Sequence, residues 1–268
     1  DKVLLMKRLF KIIMSIFIFV GFSTTSQSGT MLMQKDENTK KENYSYIKDP
    51  TGTAPTKRVH SFQIGEGCGD IKRKKRKTLK VKFKSTDCEE NSARSEIRQR
   101  DPLTQPKKRW YKWSVYLEED YPIQEGGKLS LGQWHSMECP HVKFNSYGRD
   151  NGKLYFDLRK TWEGDCKTTH RSYIANLQDM RGKWTEFISY AEWSSKDSGV
   201  FKLWIDGKQV LDYKGRTLTV GLERYNYLKV GIYQCCNTGP NYEGKTKILP
   251  AKAYFTTPIR SRKSLLQK

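Results

Sequence analysis

The sequence predicts an all-β fold, a single β-sandwich or jelly roll, and three observations carry that reading. Short stretches rich in aromatic and β-branched residues recur from Val59 onward. Asp206-Gly207 stands between two of them, Val200–Ile205 and Lys208–Tyr213, and is a strong hairpin signal. No long stretch keeps a helical period, and many strands joined by irregular loops over roughly 200 residues suit one sandwich. Further strands are expected at Thr78–Lys84, Trp110–Leu117, Lys128–Met137, Lys153–Lys160, Trp184–Trp193 and Tyr227–Gln234.

The chain has 268 residues, enough for one large domain or two small ones. Its mean hydropathy is −0.80. Even so, 7 Trp, 15 Tyr and 11 Phe argue against a disordered chain. Fifty Lys and Arg against 29 Asp and Glu give a formal charge of +21. That excludes an acidic solvating protein and calls for a polyanionic partner: nucleic acid, anionic lipid or acidic polysaccharide.

Residues 1–28 read as a secretory signal peptide, with Met6 as the start, Lys7, Arg8 and Lys11 as the basic region, and Ile12–Phe22 as the apolar one. The apolar stretch is too short for a comfortable membrane span. The expected location is secreted or periplasmic, with no stable membrane insertion after cleavage. Residues 29–57 are polar and read as a linker. Residues 58–268 then form the β domain.

Export makes disulfides chemically available to the six cysteines, none of which form a CxxC pair or a zinc-like spacing. Cys68 with Cys88 would close a loop around the basic run, and Cys139 with Cys166 is a second pairing. The vicinal Cys235 and Cys236 do not pair easily with each other.

Three strands carry a polar row, because alternate side chains share a face. Arg94, Glu96, Arg98 and Arg100 form one, with Ile97 opposite. Gln133 and His135 form a second. Tyr227, Lys229, Gly231 and Tyr233 form a third, with Leu228, Val230 and Ile232 opposite. Singly, each has an ordinary structural explanation: a hydrogen-bonded histidine, a solvated cation, a packed tyrosine. On one concave sheet face they would form a cationic groove with aromatic walls, suited to an extended anionic sugar chain.

RSEIR at 94–98, QWH at 133–135 and YLKVGIYQ at 227–234 resemble the signature strands of β-jelly-roll polysaccharide lyases of the heparin-lyase-like and glucuronan-lyase-like group, which share these strands with alginate lyases. The resemblance covers roughly residues 59–258 and departs at Leu228, Trp134 and the basic insertion at 72–77. It implies a concanavalin-like sandwich and cleavage of a uronate-containing polysaccharide (glucuronan, alginate or heparin type) by β-elimination. In that scheme Tyr233, His135, Gln133 and Arg94 are catalytic, and Lys229, Arg98 and Tyr227 bind substrate. Gln133 and Arg94 would stabilise charge developing on the uronate carboxylate. Tyr233 would protonate O4. Either His135 or Tyr233 would take the C5 proton, depending on the sugar's stereochemistry. Lys229 or Arg94 is expected to lower the Tyr233 pKa.

No cofactor is required by this chemistry. The resemblance leaves room for a structural Ca²⁺, but no loop has an evident ligand spacing and no catalytic metal is expected. Glu96 is the only acid in the three rows, between arginines, and reads as a structural ion pair rather than half of a hydrolase pair. The basic run at 71–84 would suit nucleic acid, but export argues for an electrostatic collector or a solvated loop. The expected partner is an anionic polysaccharide, with no nucleic acid, and the expected state is a monomer. A non-catalytic carbohydrate-binding protein on the same scaffold is the alternative.

Overall fold

A computed structural model describes residues 29–65, 73–74, 77–78, 92–100, 108–136, 139–162, 165–219, 226–235 and 248–266. The signal segment, the Cys68–Cys88 pairing and Cys236 lie outside the described residues. So do the strand expected at 78–84, beyond its first residue, and the basic run, apart from the backbone of a short ribbon, β5 (Arg73–Lys74) with β6 (Lys77–Thr78).

Two antiparallel sheets face each other. The back sheet runs β15 (Lys208–Lys214), β14 (Val200–Ile205), β13 (Trp184–Glu192), β8 (Lys108–Leu117), β17 (Ala251–Phe255), β4 (Arg58–Ile64) and β3 (Tyr44–Lys48). Two short strands extend it, β18 (Ile259–Ser261) on β8 and β1 (Gly29–Thr30) on β18. The front sheet runs β12 (Asp165–Asn176), β11 (Lys153–Trp162), β10 (Pro140–Tyr147), β9 (Lys128–His135), β16 (Tyr227–Cys235), β7 (Ala93–Gln99) and β2 (Met33–Lys35). The chain crosses between the sheets repeatedly, so β9, β16 and β7 are neighbours in space though far apart in sequence. The expected hairpin is present, with Asp206 and Gly207 at φ 48° and 77°, the paired left-handed conformation that a two-residue turn requires.

The segment read as a linker, 29–57, is instead part of the fold. It supplies β1, β2 and β3 and buries Asp36, Thr39 and Asn43. Its polar composition misleads because β2 and β3 are edge strands with only partial burial, and polar side chains fill the buried positions between them.

The core lies between the sheets. In β8, Tyr111, Trp113, Val115 and Leu117 alternate inward at 0–2% exposure. Trp113 stacks on Phe187 within its own sheet, with ring centroids 5.6 Å apart, and on Phe144 across the interface at 6.0 Å. Each large apolar side chain so buried contributes roughly 1.5–3 kcal/mol.

Two bulges decide which side chains face outward. Leu131 and Trp134 are three residues apart, which would place them on opposite faces of a regular strand, yet both are in the core. The pairing of β9 with β10 slips between Gly132–Phe144 and Ser130–Asn145, and that slip reconciles them. A second slip, between β16 and β9, falls between Val230 and Tyr233. Leu228, Val230 and Ile232 stay wholly buried, and Lys229 and Tyr233 emerge on the outer face of the front sheet.

Candidate active site

The register of three strands gathers the polar rows. Gln133 is opposite Lys229 on one side and Lys143 on the other. Tyr233 is opposite Arg94, and Lys229 is opposite Arg98. His135 is opposite Tyr227. Arg94, Gln133, His135, Lys229 and Tyr233 together line one cleft of about 190 Å³. Lys143 and Cys235 join them, neither of them expected in the site from the sequence, and Lys128, Pro140 and Arg159 complete the lining. Arg98 and Tyr227 do not line the cleft. Arg98 is one strand step beyond Lys229, and Tyr227 sits beside His135 with its hydroxyl 3.4 Å from Nδ1.

Beneath the cleft is a buried charge network. Lys229 Nζ is 3.0 Å from Asp36 Oδ2 and 3.1 Å from Glu96 Oε2. Arg94 approaches the same carboxylates at 3.9 and 3.6 Å. Gln133 Nε2 donates to Glu96 Oε1 at 2.8 Å, so Glu96 reaches from β7 to β9 across β16. The residue of β16 opposite Glu96 is Gly231, at φ 137°. A Cβ there would stand 2.3 Å from the Ser95 carbonyl oxygen and 2.7 Å from Glu96 Cα, both backbone atoms that cannot yield.

This network sets the electrostatics of two cations. Burial alone would lower the Lys229 ammonium, but Glu96 and Asp36 outweigh it and hold it above the usual lysine value. Burial likewise opposes the Asp36 carboxylate, and Lys229 overcomes it, drawing the group below its ordinary range. Lys229 and Arg94 therefore have their charges matched already. Glu96 serves as the structural ion partner expected of it.

Lys143 differs. It is 4% exposed, and among the described residues no carboxylate lies within ion-pair distance of its Nζ. Burial pushes it down to about 8, so the ammonium persists at neutral pH at a cost. Its Nζ is 5.1 Å from the centroid of the Tyr233 ring, which also takes the Arg94 guanidinium at 4.2 Å. The sequence held a trace of Lys143: His141, Lys143 and Asn145 alternate with Val142 and Phe144 just after the QWH strand.

Tyr233 departs from expectation. Burial pushes its phenol up, the neighbouring Cys235 adds to the rise, and Arg94 offsets only part of it. The side chain is thus a neutral phenol in the resting site, a proton donor. His135 is the complement. Its Nδ1 meets the Ser136 carbonyl oxygen, which can only accept, so Nδ1 carries the proton and Nε2 keeps its lone pair. Burial drops its pKa to about 4, so the imidazole is neutral and proton-accepting across neutral pH.

A disulfide between Cys139 and Cys166 ties the β9–β10 turn to the start of β12, with Cα atoms 5.7 Å apart. It stands beside the rim, where Arg159 is held by Thr168 Oγ1 and the Cys166 carbonyl. Among the described residues no group of three or more His, Cys, Asp or Glu is arranged to hold a metal ion, and no helix is long and apolar enough to cross a membrane.

Fold and cleft together define a β-sandwich protein with a cation-lined site on one sheet face. The chain belongs to the polysaccharide lyase family, whose model, described as Polysaccharide lyase, matches residues 68–249. Among solved structures, an endo-β-1,4-glucuronan lyase from the fungus Trichoderma reesei is 13% identical with a TM-score of 0.60, over 91% of this chain and 92% of that one. An alginate lyase from Pseudomonas aeruginosa is 16% identical with a TM-score of 0.49, over 84% and 88%. The alginate lyase AlgAT5, of polysaccharide lyase family 7, is 13% identical with a TM-score of 0.48, over 83% of each chain. The first of these shares the jelly-roll sandwich. No curated protein sequence matches the chain.

Proposed function

We propose that this protein cleaves a uronate-containing polysaccharide by β-elimination, leaving an unsaturated uronate at the new non-reducing end. The observation that supports it is the meeting, in one cleft, of a neutral imidazole whose Nε2 keeps its lone pair, an un-ionised phenol, a primary amide and an ammonium that has no carboxylate partner among the described residues.

Each group has a task. Lys143 and the Gln133 amide sit against the substrate carboxylate and stabilise the enolate-like charge as the C5–H bond breaks. His135 Nε2 takes that proton. The C4=C5 double bond forms as the C4–O4 bond breaks, and Tyr233 delivers its proton to O4. Exchange with solvent then returns a proton to Tyr233 and removes one from His135. Glu96, through its hydrogen bond, holds the Gln133 amide in position. This division, imidazole as base and phenol as acid, suits a sugar whose H5 and O4 leave from opposite faces. A sugar in which they leave from one face would ask Tyr233 to serve as both.

The test is a panel of glucuronan, alginate and heparin-type chains, followed by absorbance of the unsaturated product and its mass. Glucuronan, for which the solved neighbour with the 0.60 TM-score is named, loses H5 and O4 from one face and so tests the variant in which Tyr233 does both tasks; guluronate- and iduronate-containing chains test His135 as the base. Turnover by the protein, lost in Tyr233→Phe with binding retained, supports the reading. Saturable binding to these polymers without product would overturn it in favour of a non-catalytic carbohydrate-binding role.

A further inference from the structure

The outer face of the front sheet does not end at the cleft. The cross-strand row that holds Gln133 continues through Lys143 and Asp157 to Arg171 on β12. The row that holds Tyr233 continues through Ser130 and Asn145 to Tyr155 and Tyr173. The slips in the β16–β9 and β9–β10 pairings fall between the two rows, so Gln133 and Ser130 share the outer face although they are three residues apart on β9.

At the far end the rows meet in a built arrangement. Asp157 is wholly buried and accepts from Asn145 Nδ2 at 2.8 Å, from Arg171 Nε at 2.7 Å and from the Tyr147 hydroxyl. Arg171 is thereby held over two rings, with its Cζ 4.1 Å from the Tyr147 centroid and 5.5 Å from that of Tyr155. Tyr155 meets Tyr173 edge to face, centroids 6.2 Å apart at 78°. Tyr173 is 54% exposed on an edge strand, where a bare aromatic is a liability. A buried carboxylate costs desolvation energy, and here that cost fixes one guanidinium and one phenol at a surface that apolar packing alone would have closed.

We propose that Tyr155, Tyr173 and Arg171 form a distal subsite for the same polyuronate chain that the cleft cleaves. The tyrosine rings offer faces to a sugar's C–H side. Nε and Nη2 of Arg171 face Asp157, and the remaining N–H donors of its fork have no hydrogen-bond partner among the described residues and can meet a uronate carboxylate. From β16 to β12 there are four interstrand steps of roughly 4.8 Å, so the platform lies roughly 19 Å from Tyr233, a reach of about four sugar rings. The subsite rests on the lyase reading of the cleft, and its consequence is a preference for long chains.

The experiment compares the whole protein with Tyr173→Ala on a size series of uronate oligosaccharides from dimer to polymer. Affinities are measured calorimetrically in the Tyr233→Phe background, so the subsite is tested whether or not turnover is found. Tyr173→Ala should weaken chains long enough to span the distance about tenfold, seen as KM rather than kcat in the active protein, and shorter chains less than twofold. Tyr173→Trp should restore the long-chain affinity. An equal loss at every length, or no loss at any, overturns the subsite. Length-dependent loss without turnover would sustain the subsite and overturn the lyase reading.

Discussion

Lys229 Nζ stands 3.0 Å from Asp36 Oδ2, so the floor of the cleft is completed by a residue that the sequence places in a polar leader to the domain. Asp36 is 3% exposed, and its backbone N–H bonds the Glu96 carbonyl at 3.0 Å. The carboxylate is therefore tied to both the backbone and the charges of β7 and β16.

Asp36→Asn should cost about 1–3 kcal/mol at neutral pH, because among the described residues it leaves Glu96 as the one carboxylate to balance both Lys229 and Arg94 in a buried network. The pH dependence has a definite sign. The folded-state pKa of Asp36 lies below its unfolded value of 3.8, so its contribution is complete above that value and is lost as pH falls through the folded one. Urea denaturation at pH 7, 4 and 3 should show the wild type losing stability in this window more steeply than the variant. Parallel curves would refute the assignment.

Lys143 should set an alkaline limb on kcat/KM. Its ammonium is present below about 8 and is lost above it, so activity should decline as pH rises through that value. Lys143→Arg should carry the decline to higher pH. Lys143→Met should remove the decline and lower kcat/KM about a hundredfold. A wild-type profile that stays flat well beyond pH 9 would assign carboxylate neutralisation elsewhere.

Gly231→Ala should be poorly tolerated. At φ 137° an L side chain is strained, and its Cβ would come 2.3 Å from the Ser95 oxygen. A stability loss of about 2–3 kcal/mol is expected from the backbone conformation alone. Thermal unfolding reads it, and a melting temperature equal to the wild type's would mean β7 and β16 can part without consequence.

Reduction of Cys139–Cys166, which are 27 residues apart in sequence, should destabilise the fold by roughly 3–4 kcal/mol on the chain-entropy account. Since Arg159 leans on the Cys166 carbonyl, the Cys139→Ala/Cys166→Ala protein should also show a raised KM. An unchanged KM would confine the bond to stability.

The rows on β7, β9 and β16 were legible because polar side chains alternate there with strongly apolar ones, and period two is a local property. The fate of those rows was less legible. Whether Arg94 and Lys229 are free cations depends on Asp36, buried by an edge pairing that leaves no apolar period in Met33–Thr39. Lys143 was obscured because both faces of β10 are buried, so its outward row lacks the contrast that marks a half-exposed strand. The upward shift of Tyr233 follows from burial, and burial is set by neighbours on other strands. The bulges were not readable, since a slip of one residue belongs to a pair of strands.

The same N-terminal stretch bears on how the protein is trimmed. A chain begun at residue 58, where composition alone would put the domain border, would forfeit an edge strand from each sheet together with the anion opposite Lys229. Shortening by a protease or a cloning choice would then act on chemistry as well as on solubility, and the folded unit reaches back at least to Met31, which is already part of the core.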